Sequence, residues 1–159
     1  MKPRVYLETT IVSYLTARPS RTVLGAAHQQ VTIDWWERRR QDFDLVVSEI
    51  VFREAEAGDP EAARKRLAAL EGIPRLTLTE EVLRLGQEFV ERRLLPEKAA
   101  EDGLHIALAT VHSVDYLLTW NCAHIANPEI QVKLAKHLID KELFLPFICT
   151  PEELLGGEE

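Results

Sequence analysis

The sequence predicts an α/β fold in three layers, α/β/α, with one central sheet of five parallel strands. Five short apolar segments recur along the chain: "RVYL", "FDLVVS", "PRLTL", "DYLLTW" and "PFICT". Segments of helical spacing separate them, and a strand–helix–strand alternation favours a parallel sheet covered on both faces. Capping residues stand at the head of several of those helical segments, which sets where strand gives way to helix.

The elements follow in order. Val5, Tyr6 and Leu7 form a short buried strand after Pro3. "TIVSYLTA" has Ile11, Tyr14 and Leu15 on one side and ends before Pro19. Ser20 is placed to cap a longer helix running through Trp35 and Trp36 to Arg38, Arg39 and Arg40. "FDLVVS" is the second strand, with Ser48 capping "EIVFREAEAG", which Gly58 stops. Asp59 and Pro60 open "DPEAARKRLAALEG", and Gly72 closes it. After "PRLTL", Thr79 caps a helix expected over 80–95, and Pro96 opens another expected over 96–113. "DYLLTW" is the fourth strand. Asn127 and Pro128 begin a helix expected to reach residue 143, "PFICT" is the last strand, and "PEELLG" a closing helical turn. With no linker, repeat or low-complexity stretch, the expectation is a single domain over 1–155 and a frayed tail at 156–159.

Composition narrows the function. The chain has 159 residues, 46 % hydrophobic, and a formal net charge of −7, so bulk charge repels nucleic acid and any such partner needs metal ions or local basic patches. Arg38–Arg40, Arg64–Arg66 and Arg92–Arg93 are such patches, each expected as a solvated helix face. The two cysteines, the absence of a signal-like N-terminal run, and the absence of any stretch near the ~20 apolar residues of a membrane span predict a soluble cytoplasmic protein. Cys122 has no base partner in the sequence and is not expected to be a nucleophile.

In open parallel sheets, ligands gather at the carboxyl ends of the strands. Glu8, Thr9 and Thr10 follow the first strand; Ser48, Glu49 and then Glu54 follow the second; Asn121 and His124 follow the fourth. Asp102 shares its helix face with Ile106 and Ala109, at offsets of four and seven, and Glu54 shares one with Ile50 and Val51. Carboxylates rarely occupy apolar faces unless paired or metal-bound. Three acids converging in one pocket would repel one another, and a dication with oxygen ligands removes that conflict. Each acid also has a purely structural role open to it: a cap or ion pair for Glu8, an arginine partner for Asp102, an exposed helix position for Glu54. Glu49 and Glu101 are expected to face solvent or assist the acids. His105 and His112 are expected as core or surface histidines, and Trp35, Trp36 and Trp120 as packing residues.

"VYLETT", "VVSEIVFREAEAG", "AAEDGLHIALATVHSVDYLLTWN" and "PFICTPEELL" together resemble, in order and spacing, the PIN-domain family, the nuclease fold of VapC-type toxins. The resemblance spans nearly the whole chain. It implies a Mg²⁺- or Mn²⁺-dependent ribonuclease, with Glu8, Glu54 and Asp102 as metal-binding acids. It implies that the Asn121 region completes the catalytic site and that Thr9 and Thr119 support it through hydrogen bonds. It further implies an RNA substrate, a small antitoxin partner and a homodimer. Two positions depart from the family pattern. Glu8 stands where Asp is more common, and Asn121 and His124 stand where a fourth acid is often found. These departures leave open a second expectation, a PIN-like module of weak or absent catalysis that binds RNA or protein.

Overall fold

The computed structural model describes residues 1–156; the expected tail lies outside the described residues from position 157 onward. Its elements are β1 (Arg4–Leu7), α1 (Thr9–Thr16), α2 (Val23–Arg38), β2 (Asp44–Ser48), α3 (Glu49–Glu56), α4 (Pro60–Leu70), β3 (Arg75–Leu76), α5 (Glu80–Glu91), α6 (Ala100–Val111), β4 (Tyr116–Leu118), α7 (Pro128–Ile139) and β5 (Phe147–Cys149). The five strands form one sheet in the order β3-β2-β1-β4-β5, and every adjacent pair is parallel. Tyr6 is the reference point of the register, opposite Val46 on one side and Leu117 on the other.

Val5, Tyr6 and Leu7 are buried on both faces of β1, which is why that strand reads as a continuous apolar run and not an alternation. Crossovers between parallel strands are right-handed as a rule, which for this strand order puts α1 to α4 over one face and α5 to α7 over the other. The helix contacts agree: α1 packs on α2, α3 and α4, while α5 packs on α6. The core between the layers includes Trp35, Val47, Ile50, Phe89, Ile106, Leu108, Leu117 and Leu118. At the α5–α6 seam, a Cβ on Gly86 would lie 2.9 Å from Leu104 Cδ2, and one on Gly103 would lie 3.0 Å from Leu95 Cδ1. Glycine at both positions allows the two helices to approach, which fixes where Asp102, next to Gly103, stands.

The expected caps at Ser48, Asp59, Thr79 and Asn127 all form, each side chain accepting from a backbone N–H of the first turn. The cap of α2 differs. Thr22 accepts from Gly25 N at 3.0 Å, and Ser20 instead braces Thr22, accepting from its N–H at 3.2 Å. The choice follows from crowding: a side chain at Gly25 would collide with the hydroxyls of Ser20 and Thr22.

Three helices are shorter than their apolar patterns suggest. α5 stops at Glu91 because Arg93 takes φ 56°, and the turn before Leu143 holds Glu142 at φ 58°. The stretch after Pro96 opens with a 3₁₀ turn, Glu97–Ala99, before α6 begins. Residues 151–154 form turns, not a helix, with Thr150 N–H donating to Glu153 Oε1 at 3.0 Å. Arg66 is not merely a solvated base: its guanidinium donates to the carbonyls of Ala55 and Ala57 at the end of α3, at 3.0 and 2.7 Å.

Candidate metal site

The strand order reverses at β1. The chain moves outward from β1 through β2 to β3, then returns to β4 on the other side of β1. The carboxyl ends of β1 and β4 therefore border the crevice where an open α/β sheet takes its ligand. Glu8 follows β1 and Thr119 follows β4, and the backbone joins them: Glu8 N donates to Leu118 O at 3.1 Å.

Glu8 is 4 % exposed and caps α1. Its Oε1 accepts from Thr10 N at 3.2 Å, Thr10 Oγ1 at 2.5 Å and Thr119 Oγ1 at 2.6 Å. The two hydroxyls are themselves oriented, since Thr10 Oγ1 accepts from Trp120 N at 2.9 Å and Thr119 Oγ1 accepts from Asn121 N at 2.9 Å. The cap expected of Glu8 and its place in the acidic site are the same arrangement.

Glu54 reaches the crevice from α3, above the buried Ile50 and Val51. Its Oε1 accepts from Thr9 Oγ1 at 2.7 Å and from His105 Nε2 at 2.6 Å. Burial pushes its carboxyl up, but the His105 hydrogen bond and charge outweigh that, helped by Thr9 and the charge of Arg53. The net result is a carboxyl below its ordinary value. Arg53 itself is exposed and paired with Glu101, joining α3 to α6 outside the crevice.

His105, on α6, is fully buried, and its other nitrogen, Nδ1, lies 2.7 Å from the Tyr6 hydroxyl. That hydroxyl is in turn 2.8 Å from Ser48 Oγ. Burial disfavours charge on the ring, yet the bond to Glu54 and the charges of Glu8, Glu54 and Asp102 hold its pKa above the ordinary value. Burial, reinforced by the charges of Glu8 and Glu54 and opposed by the Ser48 hydrogen bond, pushes the Tyr6 hydroxyl well up, so it stays protonated.

The structure thus brings Glu8 and Glu54 together with His105; one ligand atom from each lies within 4.8 Å of the other two. Asp102 is outside that trio. It is half-buried one turn before His105, and its Oδ2 lies 3.1 Å from His124 Nδ1. Asn121 holds the same loop: its Oδ1 accepts from His124 N at 3.0 Å, so the amide oxygen is engaged in a turn. Thr9 and Thr119 each donate to one of the glutamates. The packing role expected of His105 understates it; the sequence places Thr10 and Ser48 only by position after their strands, and gives Tyr6 no role beyond the buried strand. One signal was in the sequence: a histidine inside "GLHIALA" has no apolar way to satisfy its ring nitrogens. Glu49 is exposed, and Trp35 and Trp120 pack, the latter stacked on His28 with centroids 3.9 Å apart. Cys149 is buried and its thiol pushed up to about 12 by burial and by Glu153, which removes it as a nucleophile.

Among the described residues, no lysine or arginine lies within ion-pair distance of the carboxylates of Glu8, Glu54 or Asp102. Described hydrogen bonds reach only Oε1 of each glutamate. Nor is any carboxylate oxygen among the buried side-chain atoms left without a partner. Two carboxylates, each with one oxygen anchored and no described hydrogen bond to the other, with Asp102 one turn from His105, form an oxygen-rich set that suits Mg²⁺ or Mn²⁺.

A parallel sheet of this order, layered by helices and carrying acids at its switch point, is a PIN-like α/β/α fold. The chain is similar in fold to a chain of the crystal structure of VapBC2 from Rickettsia felis bound to a DNA fragment from their promoter. The TM-score is 0.57 at 15 % identity, over 92 % of this chain and 98 % of that one. No protein-family model and no curated protein sequence matches the chain. No helix among the described residues is long and apolar enough to cross a membrane.

Proposed function

We propose that this protein is a Mg²⁺- or Mn²⁺-dependent endoribonuclease of VapC type, in which Glu8, Glu54 and Asp102 hold the metal. The observation that carries the proposal is the meeting of Glu8 and Glu54 at the switch point, with no arginine or lysine among the described residues within ion-pair distance of either and Asp102 one turn from their shared neighbour His105. Even a protonated His105 leaves the carboxylates in excess. A bound dication supplies the missing positive charge, a hold on the scissile phosphate and an activated water.

The chain's own residues do the rest. Thr10 and Thr119 fix Glu8, and Thr9 and His105 fix Glu54, so neither carboxylate must reorganise when substrate arrives. His124 orients Asp102 and Asn121 orients His124. The acidic surface makes RNA binding depend on the metal, because bulk charge opposes it. An antitoxin partner, a homodimer and a cytoplasmic location belong to the same proposal. The antitoxin draws support from the similar chain's origin in a VapBC complex.

The test is cleavage of a structured RNA by purified protein in Mg²⁺, Mn²⁺ and EDTA, beside Asp102→Asn. Cleavage that needs the metal and is lost in the variant is the expected result. Metal-independent cleavage, or full activity in Asp102→Asn, would overturn it. The second expectation, a binding module without catalysis, predicts RNA retention with no cleavage under any of these conditions.

A further inference from the structure

We infer that His105 is a positioning residue, whose Nε2–H fixes one oxygen of Glu54 so that the other is left free for the metal. This rests on the nuclease reading above. An ionised carboxylate can only accept, so the ring nitrogen 2.6 Å from Glu54 Oε1 must carry the hydrogen. A nitrogen with its lone pair converted to N–H cannot also ligate a cation. The opposite nitrogen is occupied as well, 2.7 Å from the Tyr6 hydroxyl. Although the ring lies within ligand distance of both glutamates, neither of its nitrogens is available to a metal.

The ring is clamped from three elements. It projects from α6, meets Tyr6 of β1 both through the hydroxyl and edge-on, with centroids 5.8 Å apart, and through Tyr6 reaches Ser48 at the end of β2. Tyr6, Ser48 and His105 are all fully buried. A buried chain of this kind leaves the imidazole one orientation, and the imidazole transmits that orientation to Glu54. Glu8 is held by the same device with different parts, two threonine hydroxyls on one oxygen. Groups that hydrogen-bond to a metal ligand fix its orientation, and losing one commonly weakens metal affinity by about 10–100-fold.

The test is Mn²⁺ calorimetry on wild type, His105→Leu, His105→Gln, Glu54→Gln and the double variant His105→Leu/Glu54→Gln, with folding checked by near-UV circular dichroism. His105→Leu removes the donor and should weaken Mn²⁺ binding by about 10–100-fold. His105→Gln returns an N–H and should recover most of that loss. In the Glu54→Gln background, His105→Leu should cost nothing further, because its effect passes through Glu54. Unchanged affinity in His105→Leu overturns the inference. So do losses that add in the double variant, which would make the ring a ligand. If His105→Leu does not fold, a folded His105→Gln that has lost Mn²⁺ affinity overturns it equally. Absence of Mn²⁺ binding in wild type defeats the nuclease reading itself, a result separate from any of these.

Discussion

Replacing Thr119 by valine isolates what one buried hydroxyl does for the acidic site. Thr119 is fully buried, and valine matches its shape, so packing is kept while two hydrogen bonds are lost. One is donated to the Glu8 carboxylate at 2.6 Å, the other accepted from Asn121 N at 2.9 Å. A hydrogen bond to a charged group contributes about 1.5–3 kcal/mol and a neutral one about 1, so the expected loss is about 3 kcal/mol. For a chain of this size, that lowers the melting temperature by roughly 6–12 °C. Thr119→Ser keeps the hydroxyl and removes one buried methyl, costing about 1 kcal/mol. The expected order in metal-free thermal unfolding is wild type, then Ser, then Val. A valine variant as stable as the serine variant would refute the reasoning, since packing and not the hydroxyl would then dominate.

Glu8→Gln is expected to abolish RNA cleavage at unchanged fold, measured as product formed per enzyme in Mn²⁺. Metal-free Glu8→Gln should melt no lower than wild type if repulsion from Glu54 outweighs the weaker acceptor left for Thr10 and Thr119; a clear drop in melting temperature contradicts that balance. Glu88 lies away from the site, 3.0 Å from Lys141 Nζ and 2.9 Å from His137 Nε2. Burial raises its pKa, but Lys141 and His137 outweigh burial and hold it below the ordinary carboxylate value. A depressed carboxyl stabilises the fold above its unfolded pKa and loses that contribution as pH falls through its folded pKa. Glu88→Gln should therefore be less stable than wild type by about 1 kcal/mol at neutral pH, with the gap closing in acid, measured by urea unfolding at a series of pH values.

Much of this was legible because local chemistry announces local structure. Asp59-Pro60 and Asn127-Pro128 each pair a capping side chain with a residue that has no N–H to leave unsatisfied, and both helices start where that chemistry says. The acids were visible for a different reason: a carboxylate amid Val, Leu and Ile is an energetic anomaly that needs a partner. The misses share a cause. Whether Ser20 or Thr22 caps α2 depends on the space around Gly25, and whether α5 continues past Glu91 depends on a left-handed residue that few patterns reveal. His105 sits in an apolar run that says only that it is buried. That its two nitrogens face Glu54 and Tyr6 is a property of three elements meeting, and no single helix period contains it.

The bond from Thr119 to Glu8 spans 111 positions of sequence. Translation delivers Glu8 first and Thr119 long afterwards, and between them come His105 and the whole of α6. A partly synthesised chain therefore carries the first acid with Thr10 beside it but without Thr119, the second hydroxyl that orients it. The acidic crevice can be completed only once β4 has been made and has taken its place beside β1, so its geometry is a late product of synthesis, set by the pairing of two strands far apart in the chain.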